Sequence, residues 1–323
     1  SGVTFSSRSD TEVLLRLYQH DGPSFVERLR GMFAFSIWDE QERRCFLARD
    51  RFGIKPLYYH ESNGVLAFAS EVRALVSAGV ADAALDPQAV FEYFRSGSVP
   101  EPLSMIKGVR ALEAAHHMTW ADGEATLTRY WSIDFTAGHS LGDPVAATRE
   151  ALLDSIRHHF VSDVPVGVFL SGGMDSTAIL GLATQAQQAR LRTFSLTFPN
   201  SRLDEGPEAR RTAQHFGADH HEWPIDAATA RSLVDDFLAS ADQPSIDGFN
   251  TFTASRLARQ HDTKVVLSGL GGDELFGGYP SFREVARLAR GGHRAGRAGV
   301  VGLPASRLAV ELGGARLPRA HDR

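Results

Sequence analysis

The chain has one cysteine among its 323 residues, Cys45, so no disulfide can form within it. Sparing use of cysteine fits a reducing compartment, and the chain is expected in the cytoplasm. No apolar run approaches the ~20 residues that cross a bilayer, so no membrane partner is expected. An excess of positive charge is also missing. The formal net charge is -5, which gives no hint of a nucleic-acid partner, since binding phosphate backbones needs a basic face. The start, Ser1-Gly2-Val3-Thr4-Phe5, has no basic segment followed by an apolar run and does not read as a signal peptide. It also has no start methionine, and the chain reads as beginning inside a longer protein.

The length suffices for two domains with separate cores. Val13, Leu14, Leu17 and Tyr18 recur at helical spacing behind Ser9, a candidate N-cap. Residues 31–39 and 44–49 read as strands joined by a polar turn. Residues 56–60 and 65–70 read as another pair, turned at Ser62-Asn63-Gly64. Asn-Gly between apolar runs signals a hairpin, so antiparallel pairing is expected. Residues 86–142 combine a helix at 87–95, proline-rich turns and short strands ending at Arg129-Tyr130-Trp131. Leu141-Gly142-Asp143-Pro144 is turn chemistry and marks a boundary.

The rhythm then changes. Apolar strands at 165–170, 191–198, 220–225 and 264–268 alternate with helices at 145–159, 176–188, 208–216, 227–239 and 249–260. That alternation predicts a parallel, doubly wound sheet. The last thirty residues, rich in glycine and arginine, carry no assignable pattern.

The sharpest motif is Ser171-Gly172-Gly173-Met174-Asp175-Ser176, directly after Val168-Phe169-Leu170. A strand enters, two glycines turn the backbone, and a helix leaves. Successive N–H groups and a helix N-terminus then surround one point, which suits an anion such as pyrophosphate. Asp175 fits an anion site only with a cation present, and Mg²⁺ typically binds one or two carboxylates plus phosphate oxygens. This is neither a Walker loop nor a dinucleotide fingerprint. It matches the SGGxDS loop of ATP-pyrophosphatases. A second glycine loop, Ser268-Gly269-Leu270-Gly271-Gly272-Asp273-Glu274, follows another expected strand. Ligands in open α/β sheets bind outside the carboxyl ends of strands, so Asp175 and Asp273 are expected to share one magnesium–pyrophosphate group. The plain alternative for Asp273 is a carboxylate balancing a helix dipole.

Together the two loops resemble the glutamine-hydrolysing asparagine synthetase B family. The likeness extends through Ser9-Asp10-Thr11-Glu12, residues 31–35, the run 48–59 (ARDRFGIKPLYY), Phe68-Ala69-Ser70-Glu71, residues 194–198, Asp204-Glu205, His220-His221-Glu222 and Asp242-Gln243-Pro244. The resemblance implies an α+β antiparallel glutaminase-type domain (class II glutamine amidotransferase), then an α/β doubly wound parallel sheet of ATP-pyrophosphatase type. Residues 1–85 would be a partial amidotransferase domain, 86–143 its end and a linker, and 144–323 a partial synthetase domain. It implies ATP-dependent adenylation of aspartate, then displacement of AMP by glutamine-derived ammonia. Small-molecule substrates (glutamine, aspartate, ATP) and the ion Mg²⁺ are implied, and a homodimer is compatible. By resemblance Leu170 and Leu196 flank the adenosine, and Ser171, Gly172, Gly173, Ser176, Ser268 and Gly269 contact the nucleotide. Asp175 and Asp273 are the catalytic, metal-holding carboxylates, Glu205 is a weaker member of that cluster, and Asp10 binds the α-amino group of glutamine.

Three departures stand out. The family's glutaminase nucleophile is an N-terminal cysteine, whereas this chain begins with Ser1, and Cys45 reads as a buried structural thiol. Leu270 stands where the family often has an acidic residue, which keeps open a β-lactam-synthetase-like ligase for another carboxylate. The synthetase part stops soon after Tyr279, so the chain reads as an internal segment, inert alone; a nucleotide-binding remnant without catalysis is the third reading. The pairs His116-His117, His158-His159 and His220-His221 are read without a metal role.

Overall fold

The computed structural model describes residues 4–134, 142–187, 189–199, 201–202 and 204–297. The Ser9 hydroxyl accepts the Thr11 N–H at 3.2 Å and opens α1 (Asp10–Asp21), the role expected of an N-cap serine. Leu14, Leu17 and Tyr18 of that helix pack on Phe25, Val26, Ile37, Phe46 and Ala48. Phe25 and Phe46 are fully buried. Burial of each such ring contributes about 1.5–3 kcal/mol.

β1 (Ala34–Asp39) and β2 (Arg44–Arg49) pair antiparallel. β3 (Tyr58–Ser62) and β4 (Val65–Ala69) form the expected hairpin, with Asn63 and Gly64 at φ 51° and 71°. Both lie in the left-handed region that a tight hairpin turn requires. α2 (Val72–Ser77) and α3 (Pro87–Ser96) follow, and Asp86 caps α3 by accepting from Gln88 and Ala89 N–H. β5 (Val109–Ala111) pairs with β3, giving the order β4-β3-β5. β6 (His116–Ala121) and β7 (Glu124–Arg129) extend the other sheet to β1-β2-β6-β7. Strands β5 to β7 are thus built into the first domain's sheets.

Run 48–59 knots these sheets together. The Asp50 carboxylate accepts N–H groups from Phe33, Phe52, Ile54 and Lys55 at 3.0–3.2 Å. Arg49 donates to the carbonyls of Lys55, Leu112 and Gly53 and pairs with Glu101 at 2.7 Å. Arg49 is 5% and Asp50 1% exposed. Gly53 has φ +64°, and a Cβ there would press the Arg49 guanidinium at 2.9 Å, so only glycine fits.

The second domain begins with α4 (Pro144–His159), capped by Asp143. Then come β8 (Val166–Phe169), α5 (Met174–Ala186), β9 (Arg192–Thr197), α6 (Gly206–His215), β10 (Asp219–Pro224), α7 (Ala227–Ser240), α8 (Gly248–Gln260) and β11 (Val265–Leu267). The four strands are parallel in the order β10-β9-β8-β11. Side chains of α4, α5 and α6 pack with Val168 and Leu170 on one core, and Leu257 and Ala258 of α8 pack with Phe194 on another. The sheet is doubly wound, as expected. Gly167 lets β8 and β9 close up, since a Cβ would sit 2.8 Å from the Phe194 ring.

The two domains are joined through the segment after α7. Asp242 accepts the Val72 and Arg73 N–H groups at 2.7 and 2.9 Å, capping α2. Gln243 accepts the Met105 N–H at 2.8 Å, and Ile246 N–H donates to Gly97 at 3.0 Å.

By compactness the chain divides into Ser1–Ser268 and Gly269–Arg323. The latter holds α9 (Gly272–Phe276), bounded by left-handed Gly271 and Gly277, and α10 (Pro280–Arg297). Most of the unassigned C-terminal thirty residues, 298–323, lie outside the described residues.

Candidate functional site

Chain order along the parallel sheet runs β8, β9, β10 to one side and then returns to β11 on the other side of β8. The reversal falls between β8 and β11. A crevice at the carboxyl ends of two such strands is where open α/β sheets bind ligands. Residues 170–173 follow β8, and Ser268 follows β11, so both arrive at that edge.

The turn after β8 is held by its own serines. The Ser171 N–H donates to Ser176 Oγ at 3.1 Å, and the Gly173 N–H donates to Ser171 Oγ at 3.0 Å. The two hydroxyls meet at 2.9 Å. Ser176 is buried and Thr177 Oγ1 donates to the Gly173 carbonyl at 2.9 Å. Ser176 therefore braces the loop rather than facing solvent. Gly173 is the N-cap of α5 and offers no side-chain cap. Among the described residues the N–H groups of Met174, Asp175 and Ser176 have no hydrogen-bond partner, the usual state of a first helical turn. They form an uncommitted row of donors at the positive end of a 13-residue helix.

Asp175 stands half-buried in that first turn with no hydrogen-bond or ion-pair partner among the described residues. Glu205 comes from the N-cap of α6, and its Oε2 accepts the Gly172 N–H at 2.9 Å. A Cβ on Gly172 would meet the Glu205 and Glu208 stems at 3.2 and 3.1 Å. The carboxylate of Asp204 accepts the Phe198 and Gly206 N–H groups, fixing the turn that presents Glu205. Glu205 thus reaches the loop from the segment after β9, on a turn that Asp204 holds. Sequence reasoning ranked Glu205 low, because nothing local ties residue 205 to residue 172.

Leu170 is 2% exposed and sits in the core, while its carbonyl accepts the Ser195 hydroxyl. Leu196 is partly buried beside Phe169, Phe194 and Trp223. Ser268 is exposed at the sheet edge. In the second unit Asp273 occupies the first turn of α9, and any side chain on Gly278 would collide with its carboxylate. Asp10 is exposed in the first turn of α1, where one oxygen accepts the Thr11 N–H at 2.8 Å. Cys45 lies in β2, and burial raises its thiol above the ordinary range, which makes it a poor nucleophile at neutral pH. His220 meets Thr193 at 2.8 Å, whereas its neighbour His221 stacks on Phe194 and His261 on the other side of the strand.

An antiparallel domain coupled to a parallel sheet with an anion-ready loop at its switch point defines a two-domain protein of the amidotransferase and ATP-pyrophosphatase kind. A glutamine amidotransferase domain family matches residues 1–131, and the asparagine synthase family matches residues 147–320. The chain belongs to the asparagine synthase family. It is 38% identical over 291 residues to asparagine synthetase (glutamine-hydrolyzing) 1 of Bacillus subtilis, covering 89% of this chain and 46% of that one. It is 34% identical over 279 residues to a putative asparagine synthetase (glutamine-hydrolyzing) 2 of Methanocaldococcus jannaschii, covering 84% of this chain and 54% of that one. It is also 30% identical over 302 residues to amidase chry2 of Gibberella zeae, covering 86% and 44%. The chain spans about half the length of the curated relatives it matches.

Proposed function

We propose that the protein is a ligase of glutamine-dependent asparagine synthesis. The aspartate β-carboxylate attacks the α-phosphorus of ATP and releases pyrophosphate. Ammonia from glutamine then attacks the acyl carbon and AMP leaves. The observation that carries the reading is the open row of N–H donors at residues 174–176 beside the unpartnered Asp175, at the sheet's switch point. Those donors would bind the pyrophosphate portion of ATP, and the serine-braced turn keeps them aimed before substrate arrives. The names of the bacterial and archaeal relatives support the same chemistry.

Magnesium fits this donor set: a half-buried carboxylate without a cation partner stands next to open anion donors. Asp175, and by resemblance Asp273, would hold it, and when bound it would neutralise charge on the departing pyrophosphate. Ser268 and Gly269 would border the nucleotide, with Leu170 and Leu196 shaping the adenosine side. Asp10 would take the α-amino group of glutamine in the first domain. The reading places the protein in the cytoplasm.

The test is release of pyrophosphate and AMP by the intact protein given ATP, magnesium, aspartate and either glutamine or ammonia. Equal amounts of both products, dependent on aspartate, are expected. Asp175→Asn should lower the rate by about a hundredfold or more. Turnover with some other carboxylic acid but not with aspartate would refute the assignment of substrate.

A further inference from the structure

The phosphate loop carries an internal anion. Of the donors in its turn, the Ser171 and Gly173 N–H groups are satisfied by neutral hydroxyls, while the Gly172 N–H is taken by the Glu205 carboxylate at 2.9 Å. Hydrogen bonds to an ionised acceptor are about twice as strong as neutral ones. Glu205 is exposed and has no ion-pair partner among the described residues. Two arginines of α6 are committed elsewhere: Arg211 pairs with Glu208, and Arg210 pairs with Glu222 at 2.7 Å. The backbone beneath Glu205 is fixed by Asp204.

We propose that Glu205 is a specificity residue that makes the loop select a cation-bound polyphosphate over the bare anion, an inference that rests on the nucleotide reading above. A metal-free polyphosphate must displace the carboxylate from Gly172 and then lie against the uncompensated charges of Glu205 and Asp175. Like charges brought together in this way repel. A polyphosphate that brings a divalent cation removes that repulsion, and Glu205 releases Gly172 at little cost. Close packing of the Glu205 stem on Gly172 keeps the carboxylate on station while the loop is empty.

The experiment is calorimetric titration of the intact protein with ATP, in magnesium and in EDTA, for the native chain, Glu205→Gln and Glu205→Asp. Glutamine keeps the size and an acceptor but removes the charge. The expected result is that Glu205→Gln binds metal-free ATP about tenfold more tightly, with much less change for magnesium–ATP. Glu205→Asp should keep the magnesium preference. An unchanged preference in Glu205→Gln, with native binding intact, overturns the inference alone. Loss of magnesium–ATP affinity in Glu205→Gln without a gain for free ATP also overturns it, since Glu205 would then be a binding group. No magnesium–ATP binding by the native protein would overturn the nucleotide reading and this inference with it. Thermal melts of the variants show whether folding is preserved.

Discussion

The knot at Arg49-Asp50 and the loop at Ser171–Ser176 are both polar turns at the end of a β-strand, both shaped by glycine, and they serve opposite ends. In the knot the charged groups are almost wholly buried, and the Asp50 oxygens are used on backbone N–H groups. In the loop the bracing is done by small hydroxyls, while the helix N–H groups and Asp175 are left without partners. A buried charge must be fully paired to be tolerated, and that leaves it nothing to offer a ligand. The contrast separates a motif that holds the fold from one that holds a site open.

The strongest way to break this contrast is Asp50→Ala. It removes the buried carboxylate that accepts the N–H groups of Phe33, Phe52, Ile54 and Lys55, and should cost about 3 kcal/mol or more by denaturant unfolding. Asp175→Ala in the same assay should cost under about 0.5 kcal/mol. Comparable losses at both positions would erase the distinction.

Asp242→Ala removes the cap of α2 across the domain junction. It should lower stability by about 1–2 kcal/mol, and calorimetry should show the domains melting further apart. Ser176→Ala should cost about 1 kcal/mol and speed amide exchange at Ser171, whose N–H it accepts. Unaltered exchange there would mean that the serine brace is not what orders the loop.

The smallest effects are in pH, and they have opposite signs in the two domains. Burial, aided by Asp50, pushes the Tyr130 hydroxyl up to about 12 from an ordinary 10.0. The unfolded chain therefore ionises first, and stability should be complete below pH 10 and fall from there toward about 12. Tyr130→Phe should flatten that alkaline slope in urea titrations. In the second domain burial lowers His220 and His261 below the ordinary 6.5. The folded state keeps those rings neutral, so stability is present above pH 6.5 and lost as pH falls below it. His220→Gln should weaken the acid slope.

Much of the fold was legible because its signals are local. The α1 serine cap, the Asn63-Gly64 hairpin and the alternation of strands and helices after residue 144 each lie within a few residues of chain. The Ser171–Ser176 loop was legible for the same reason, since strand, glycines and helix are contiguous. Placing β6 beside β2, with β7 outside it, was not, because residues 86–143 carry no pattern that names a distant partner. α10 was legible only in part: the arginine-rich stretch after Arg283 reads as a solvated surface or a truncated helix, because glycines interrupt the helical rhythm.

The sequence by itself determined the two kinds of sheet, the position of the phosphate-type loop and the carboxylate at residue 175, since each depends on neighbours along the chain. Only the tertiary structure decided that Glu205 rests on Gly172, 33 residues away, and that Asp242 caps a helix 170 residues earlier. The physical reason is that strand order sets which chain ends meet at an edge, and strand order is chosen by packing both faces of a sheet at once.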